Sequence, residues 1–166
     1  VTGTSYGLIG PLTVGATLVV AEAEFDAERW YRILAAHRVQ VWYTAPTAIR
    51  MLVHAGPELG GRFDLSSVRS AFSVGEPLSA DAVHWGRAHL GITFRDTWWQ
   101  TETGAIMIAN SADDVVEPGS MGHAVCGVEA GLLATDRDGG LIRDPGGRPI
   151  EITDPAQIGM IALRAG

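Results

Sequence analysis

The chain has 166 residues, of which 46% are hydrophobic and 19% are charged, as is typical of a globular domain with a buried core. Its formal net charge of −7 argues against nucleic acid and anionic membrane surfaces as partners, because both require a basic binding surface. No apolar run reaches the ~18 residues of a membrane-spanning helix, and no secretory signal opens the chain. The single cysteine, Cys126, excludes an internal disulfide, fits a cytoplasmic location and is expected to be a small buried side chain.

Helical and strand-like hydrophobic patterns alternate over the first part of the chain. Helices are predicted over residues 4–14, 26–37, 46–54 and 79–89. Strands are predicted over residues 17–20, 40–44, 68–74 and 93–98. Ser5, Asp26 and Ser79 are the expected N-terminal caps of three of these helices. Because repeated strand–helix units form parallel strands joined by right-handed crossovers, the predicted fold class is α/β, with a parallel sheet and flanking helices.

The hydrophobic pattern changes after Gly104. Short strands are predicted over 106–109, 128–134 and 159–163, and turns over 138–140 and 145–147. The sequence therefore predicts an α/β part over residues 1–104 and the beginning of a smaller β-rich part over residues 105–166. Because the chain opens on Val1 without an initiator Met and stops directly after an apolar run, we expect it to be a piece of a longer protein.

Chemically unusual residues follow two of the predicted strands. One strand runs into Gly75-Glu76-Pro77, and the next strand runs into residues 99–104. The two strands are one strand–helix unit apart, so their carboxyl ends are expected to face one crevice, where open α/β sheets bind ligands. In the second segment the Thr101 hydroxyl can donate to a phosphate oxygen, and Glu102 offers an oxygen ligand to Mg²⁺. The indole of Trp99 can close a small apolar pocket next to them.

Several segments resemble, in the same order, the AMP-forming acyl-CoA synthetases of the adenylate-forming superfamily, and among these the acetyl-CoA synthetases most of all. The segments are Val1-Thr2-Gly3, Tyr43-Thr44-Ala45-Pro46-Thr47-Ala48-Ile49-Arg50, Ser73-Val74-Gly75-Glu76-Pro77-Leu78, Asp96-Thr97-Trp98-Trp99-Gln100-Thr101-Glu102-Thr103-Gly104 and Pro118-Gly119-Ser120-Met121-Gly122. They span almost the whole chain, so the resemblance is more specific than any single short motif. It implies that both parts of the chain belong to one larger adenylation domain, which joins a carboxylate to coenzyme A through an acyl-adenylate.

The resemblance assigns roles to residues at both strand ends. Contacts with ATP or AMP are implied for Gly75, Glu76, Pro77, Asp96, Thr97, Trp98, Gln100 and Thr101. An acyl pocket is implied for Val1, Thr2, Val74 and Trp99. Thr101 is expected to contact the α-phosphate and Glu102 to ligate Mg²⁺, which makes these two the expected catalytic residues. Because side chains alternate along a strand, we expect Trp98 to be structural and Trp99 to form the pocket floor.

By this resemblance the expected substrates are acetate, ATP and coenzyme A, because the indole of Trp99 fills the volume that a longer acyl chain needs. Propionate or another short acid is an alternative, since one methylene changes binding by only ~1–3 kcal/mol. A nucleotide-binding module without catalysis is a further alternative, because the family's phosphate loop is expected upstream of Val1 and its mobile C-terminal domain downstream of Gly166. We therefore expect the isolated chain to have no ligase activity. The sequence leaves the oligomeric state open.

Overall fold

A computed structural model describes residues 2–111 and 113–164 of the chain. The chain divides into two units, Val1–His123 and Ala124–Gly166. Residues 105–123, which the sequence pattern groups with the β-rich part, lie in the first unit. That both units belong to one larger adenylation domain stays a prediction.

Six helices are described in the first unit, and two of them continue as π-helical segments. Their bounds are α1 Thr2–Thr4, α2 Gly10–Thr13, α3 Ala27–Ala36, α4 Pro46–Ala55, α5 Pro57–Gly60 and α6 Ala80–Trp85. A π-helical segment, Ser5–Ile9, joins α1 to α2, and another, Gly86–Leu90, continues α6. A short 3₁₀ turn spans Thr101–Thr103.

Local capping explains where two of these helices begin. The carboxylate of Asp26 accepts a hydrogen bond from the Arg29 N–H at 2.7 Å. The hydroxyl of Ser79 accepts a hydrogen bond from the Ala82 N–H at 3.3 Å. Each cap satisfies a backbone donor that has no partner inside the helix, which confirms the predicted starts of α3 and α6.

The first sheet has five strands in the spatial order β1-β2-β3-β4-β5. Their bounds are β1 Val41–Thr44, β2 Ser70–Ser73, β3 Phe94–Trp98, β4 Ile108–Ala109 and β5 His123–Ala124. β1, β2 and β3 are mutually parallel, and β4 runs antiparallel to β3. The predicted α/β class with a mostly parallel sheet and flanking helices is confirmed.

The second unit contains a separate three-stranded sheet in the order β7-β6-β8, in which β6 pairs antiparallel with both neighbours. The strands are β6 Ala130–Leu133, β7 Glu151–Ile152 and β8 Met160–Leu163. In the parts of the chain that the structure describes, no helix is both long and apolar enough to cross a membrane.

Three sequence expectations are wrong. Residues 17–20 form no strand: Val19 and Val20 are exposed, and no described strand pairs with them, so their β-branched side chains have no sheet to pack against. Ser5 is not a helix cap, because the helix has already begun at Thr2 and Ser5 opens the π-helical segment. Cys126 is exposed, although its apolar and glycine neighbours suggested burial.

The apolar core of the first unit crosses the three parallel strands in one row. The register aligns Trp42, Ala71 and Phe94 in one row across β1, β2 and β3, and all three are buried. Buried residues of the flanking helices, including Ile49 and Val83, belong to the same core. Side chains two residues further along each strand lie on the same face, nearer the carboxyl edge.

Candidate active site

A row of buried polar side chains follows the apolar row at the carboxyl ends of the parallel strands. The register aligns Thr44 with Ser73 and Ser73 with Asp96, and all three side chains are buried. Among the described residues, the hydroxyls of Thr44 and Ser73 have no hydrogen-bond partner. The apolar core therefore gives way to polar groups at this edge, which is where ligands bind open parallel sheets.

The loop after β2 exposes its backbone at Gly75. The φ angle of Gly75 is +91°, a conformation that residues with a side chain rarely adopt. A Cβ atom at this position would meet no heavy atom within 4 Å beyond its chain neighbours, so the space beside the peptide is open. Val74 and Leu78 are buried on either side, whereas Glu76 and Pro77 are exposed. A flat ring can therefore approach the predicted nucleotide loop closely.

The carboxylate of Glu76 is held from helix α4. It accepts a hydrogen bond from the Thr47 hydroxyl at 2.5 Å and pairs with the Arg50 guanidinium at 2.7 Å. Arg50 also donates to the Thr47 hydroxyl at 2.7 Å. The hydrogen bonds from Thr47 and Arg50, together with the Arg50 charge, lower the pKa of Glu76. The sequence assigned no role to Thr47 or Arg50, although both lie in the segment over 43–50 that carries part of the resemblance.

Asp96 ties β3 to the loop after β2. Its two carboxylate oxygens accept hydrogen bonds from the Leu78 N–H at 3.1 Å and from the Thr97 N–H at 3.0 Å. Burial raises the pKa of Asp96 above its ordinary value, and these two hydrogen bonds oppose the shift. The expected contact between Asp96 and the exocyclic amine of adenine stays a prediction.

Thr97 and Trp98 join β3 to both of its neighbours. The Thr97 hydroxyl donates to the backbone carbonyl of Ser73 on β2 at 2.7 Å, and both groups are buried. On the other side, Trp98 pairs with Ile108 of β4. The structural role expected of Trp98 and the contact of both residues with a nucleotide stay predictions.

Trp99 packs against the N-terminal helical segment. Its ring meets that of Tyr6 edge to face, with centroids 5.1 Å apart and planes at 78°. The Tyr6 phenol oxygen accepts a hydrogen bond from the Ile106 N–H at 2.5 Å, which fixes the hydroxyl end of the Tyr6 ring. Thr2 starts the same continuous helical segment four residues before Tyr6, so a second expected acyl-pocket residue is placed on the element that contacts Trp99. Val1 lies outside the described residues.

The sequence missed Tyr6 as a neighbour of Trp99. Its ring also meets Tyr43 at a centroid distance of 6.0 Å, so Tyr6 lies between two aromatic side chains from different strand ends. The available signal was its position in the segment that directly follows Val1-Thr2-Gly3. Proximity to that segment does not predict a contact between Tyr6 and Trp99, because Trp99 lies more than ninety positions further along the chain.

Residues 100–104 form a tight turn after β3. The hydroxyl oxygen of Thr103 accepts from the Gln100 N–H at 3.0 Å and lies 2.8 Å from the Gln100 carbonyl oxygen. Thr101 and Glu102 are exposed on this turn. Within residues 2–111 and 113–164, no hydrogen bond or ion pair occupies their side chains. The turn therefore presents a hydroxyl donor and a carboxylate that are both free to bind a ligand.

Glu102 fits a Mg²⁺ ion only if most ligands come from elsewhere. The described residues contain no group of three His, Cys, Asp or Glu side chains that could hold a metal. Mg²⁺ commonly takes one or two protein carboxylates and completes its shell with water and substrate phosphates. A single exposed carboxylate beside an exposed hydroxyl agrees with that type of metal binding.

An open glycine loop, a free hydroxyl and a free carboxylate follow the parallel strands of an α/β protein at the carboxyl edge of the sheet, where open sheets of this class bind ligands. The sequence profile of AMP-binding enzymes matches residues 1–148. The chain belongs to this family, as the resemblance of its motifs predicted.

Two curated relatives have the same description. The acetyl-coenzyme A synthetase of Bacillus subtilis is 45% identical over 133 residues, which cover 80% of this chain and 23% of that protein. The acetyl-coenzyme A synthetase of Deinococcus radiodurans is 43% identical over 162 residues, which cover 93% of this chain and 25% of that protein. The chain thus spans about a quarter of the length of the curated relatives that it matches.

Solved structures of similar fold carry related descriptions. The Brucella canis acyl-CoA synthetase matches 98% of this chain with a TM-score of 0.81 and 31% sequence identity, over 28% of its own length. The anthranilate CoA ligase AuaEII, solved in complex with anthranoyl-AMP, matches 98% of this chain with a TM-score of 0.76 and 27% identity, over 29% of its length. Both matches agree with the α/β architecture of the first unit.

Proposed function

We propose that the chain is part of an AMP-forming acetate–CoA ligase. In the first step a carboxylate oxygen of acetate attacks the α-phosphorus of ATP, the bond to the β-phosphate breaks, and pyrophosphate leaves. In the second step the thiol of coenzyme A attacks the carbonyl carbon of acetyl-adenylate, AMP leaves, and the thiol proton is lost. The similarity to two acetyl-coenzyme A synthetases supports this activity over other ligases of the family.

The proposed nucleotide site combines the two strand ends. Gly75, Glu76 and Pro77 line one face of the adenine, and the segment over 96–100 lines the other. The open space beside Gly75 supports this arrangement, because the base can lie directly on the peptide. The exposed Thr101 hydroxyl donates to an oxygen of the α-phosphate, where negative charge grows as the acetate oxygen attacks the phosphorus.

Glu102 is the proposed ligand of Mg²⁺. When bound, the ion supplies positive charge that offsets the charge of the ATP phosphates and orients them. The contribution of the chain is to keep one carboxylate exposed and unpaired next to Thr101, on a turn whose backbone is closed by Thr103. Residues that bind coenzyme A are expected mostly outside this chain.

The structural observation that supports the choice of acetate, beside that similarity, is the braced indole of Trp99. Tyr6 holds one edge of the ring, and the helical segment that contains Tyr6 begins at Thr2. We infer that Trp99, Thr2, Val1 and Val74 enclose a cavity that fits a methyl group. A ring fixed in this way excludes longer acids better than a mobile one, because it does not move aside at low cost.

The proposal implies small-molecule partners, namely acetate, ATP and coenzyme A, with no nucleic acid and no membrane. We also propose a cytoplasmic location, because the substrates are intracellular metabolites and the exposed Cys126 needs no disulfide partner.

The test is an ATP–pyrophosphate exchange assay across a series of straight-chain carboxylic acids. It uses the full-length protein, meaning the product of the complete reading frame that contains these residues. Acetate should support the fastest exchange, followed by propionate. Exchange that is absent with every acid, or fastest with a long acid, would overturn the proposal.

Two variants connect the assay to the site. Trp99→Gly should shift the preference toward longer acids, whereas Trp85→Ala, at a half-buried tryptophan on α6, should not. Glu102→Ala should slow exchange and raise the Mg²⁺ concentration needed for half-maximal rate, whereas the exposed control Glu22→Ala should leave both unchanged. An unaltered acid profile in Trp99→Gly removes Trp99 from the pocket floor. An unaltered Mg²⁺ requirement in Glu102→Ala removes Glu102 from the metal site.

A further inference from the structure

We propose that Arg50 and Thr47 are positioning residues that hold the loop after β2 in its nucleotide-binding conformation through Glu76. This inference rests on the proposed function, because it takes the loop Gly75-Glu76-Pro77 as the adenine-binding surface. The sequence pattern assigned neither residue a role.

The three side chains form a closed triangle. Thr47 donates to one carboxylate oxygen of Glu76 at 2.5 Å, Arg50 pairs with the other at 2.7 Å, and Arg50 donates to the Thr47 hydroxyl at 2.7 Å. Each group therefore contacts the other two, and moving any one of them breaks two contacts. A closed set of contacts restricts the Glu76 side chain more than a single ion pair does.

The triangle has a rigid base. Thr47 and Arg50 are three residues apart on α4, so they share one side of the helix. Pro46, Ile49 and Leu52, on the other side of α4, are buried in the core. The helix cannot shift without disturbing that packing, so the position of Glu76 is fixed relative to the core.

The loop is held at both ends. On one side Glu76 is fixed to α4, and on the other side the Leu78 N–H is fixed to the buried carboxylate of Asp96. Pro77 lies between these two attachments and restricts the backbone of Glu76 to extended conformations. Gly75, with its φ of +91°, is the residue that can most easily take another conformation if the Glu76 attachment is lost.

The two attachments differ in their expected effect. Asp96 is buried, whereas the side chains of Arg50 and Glu76 remain 50% and 41% exposed. Exposed ion pairs contribute little to stability, because water solvates both partners when they separate. Loss of Arg50 should therefore affect nucleotide binding much more than folding, which separates a positioning role from a general structural one.

The test compares Arg50→Ala with Arg32→Ala in the full-length protein. Arg32 is the matched control, because it forms a similarly exposed ion pair with Glu28 at 2.9 Å on α3, outside the site. Arg50→Ala should raise the KM for ATP and the equilibrium Kd for ATP by about fivefold to tenfold. The KM for acetate, kcat and the thermal midpoint should change little, and Arg32→Ala should leave all values at the wild-type level.

Two further variants examine the triangle itself. Arg50→Lys should give an intermediate ATP KM, because an ammonium can pair with Glu76 but does not reach both partners as a guanidinium does. Thr47→Val should weaken ATP binding as well, and the double variant should lose less than the product of the two single losses, because both side chains act through Glu76.

Several results would overturn the proposal. They are an ATP Kd in Arg50→Ala equal to that in Arg32→Ala, an equal loss for ATP and acetate, or a large drop in the thermal midpoint. If the wild-type protein binds ATP but exchanges pyrophosphate with no acid, the proposed function fails while the ATP Kd of Arg50→Ala still decides the role of Arg50. If the wild-type protein binds no ATP, both proposals fail.

Discussion

Replacing Asp96 with alanine should loosen the loop after β2 and lower the stability of the first unit. The Leu78 N–H is buried, and among the described residues its acceptor is the Asp96 carboxylate at 3.1 Å. A buried donor that loses its acceptor costs about 1–3 kcal/mol. The loss of the Thr97 N–H contact adds to this cost, and the removal of a buried charge offsets part of it. The expected net destabilisation is therefore about 1–3 kcal/mol.

Asp96→Asn is the informative companion variant. An asparagine keeps one carbonyl oxygen for the Leu78 N–H, but its amide NH₂ then faces the Thr97 N–H, so one of the two contacts is lost. The stability order should be wild type, then Asp96→Asn, then Asp96→Ala. This order does not depend on any contact between Asp96 and a nucleotide, because it concerns the protein without ligand.

The pH dependence has a definite sign. Because burial raises the pKa of Asp96, the folded state holds this proton more tightly than the unfolded state, whose value is near the ordinary 3.8. The contribution of this group to stability is greatest below 3.8 and falls as the pH rises through the raised pKa. In Asp96→Asn that part of the pH dependence should be absent.

Two measurements on the full-length protein check this reasoning. Urea unfolding gives the stability order, and hydrogen exchange of the peptide that covers residues 74–80 reports on the Leu78 N–H. Protection of that amide should fall in Asp96→Ala and largely persist in Asp96→Asn. Wild-type exchange in Asp96→Ala, or a greater loss of stability in Asp96→Asn, would refute the argument.

Glycine replacements separate backbone strain from close packing. Gly75→Ala and Gly122→Ala share φ values near +90° and should each cost about 1–3 kcal/mol in strain, measured by urea unfolding. Gly122→Ala should cost a further ~1–3 kcal/mol, because its Cβ would lie 2.3 Å from the Ala109 carbonyl oxygen; equal losses would contradict this. For the acyl pocket, Tyr6→Phe should keep the acid preference and Tyr6→Ala should broaden it in the exchange assay. Identical profiles for the two Tyr6 variants would show that the ring does not brace Trp99.

The features that the sequence predicted correctly rest on local physics. A cap such as Asp26 bonds to the N–H three residues later, so the necessary partners are adjacent in the chain. The alternation of apolar runs with helical periodicity similarly predicted four strands in the α/β part, and three of them form the parallel strands of the sheet. The exception over 17–20 shows the limit of this signal, because a β-branched run forms a strand only where another strand is available to pair with it.

The contacts that the sequence missed join distant parts of the chain. The Thr47–Glu76 hydrogen bond links residues 29 positions apart, and the Tyr6–Ile106 hydrogen bond links residues 100 positions apart. Neither pair has a local signature, because threonine and tyrosine hydroxyls find partners in many environments. The resemblance identified the residues expected to touch substrate but did not identify those that hold them in place.

A pattern inside the strands agrees with the proposed ligand edge. Trp42 precedes Thr44 by two residues, and Phe94 precedes Asp96 by two, so each pair lies on one face of the sheet. Ala71 and Ser73 repeat the change from apolar to polar on the strand between them. A buried polar side chain is costly in a core, so three in one row indicate the edge at which the core ends and a polar site begins. In each of the three strands a buried apolar residue is followed two positions later by a buried polar one, and this change is visible in the sequence before the strand register is known.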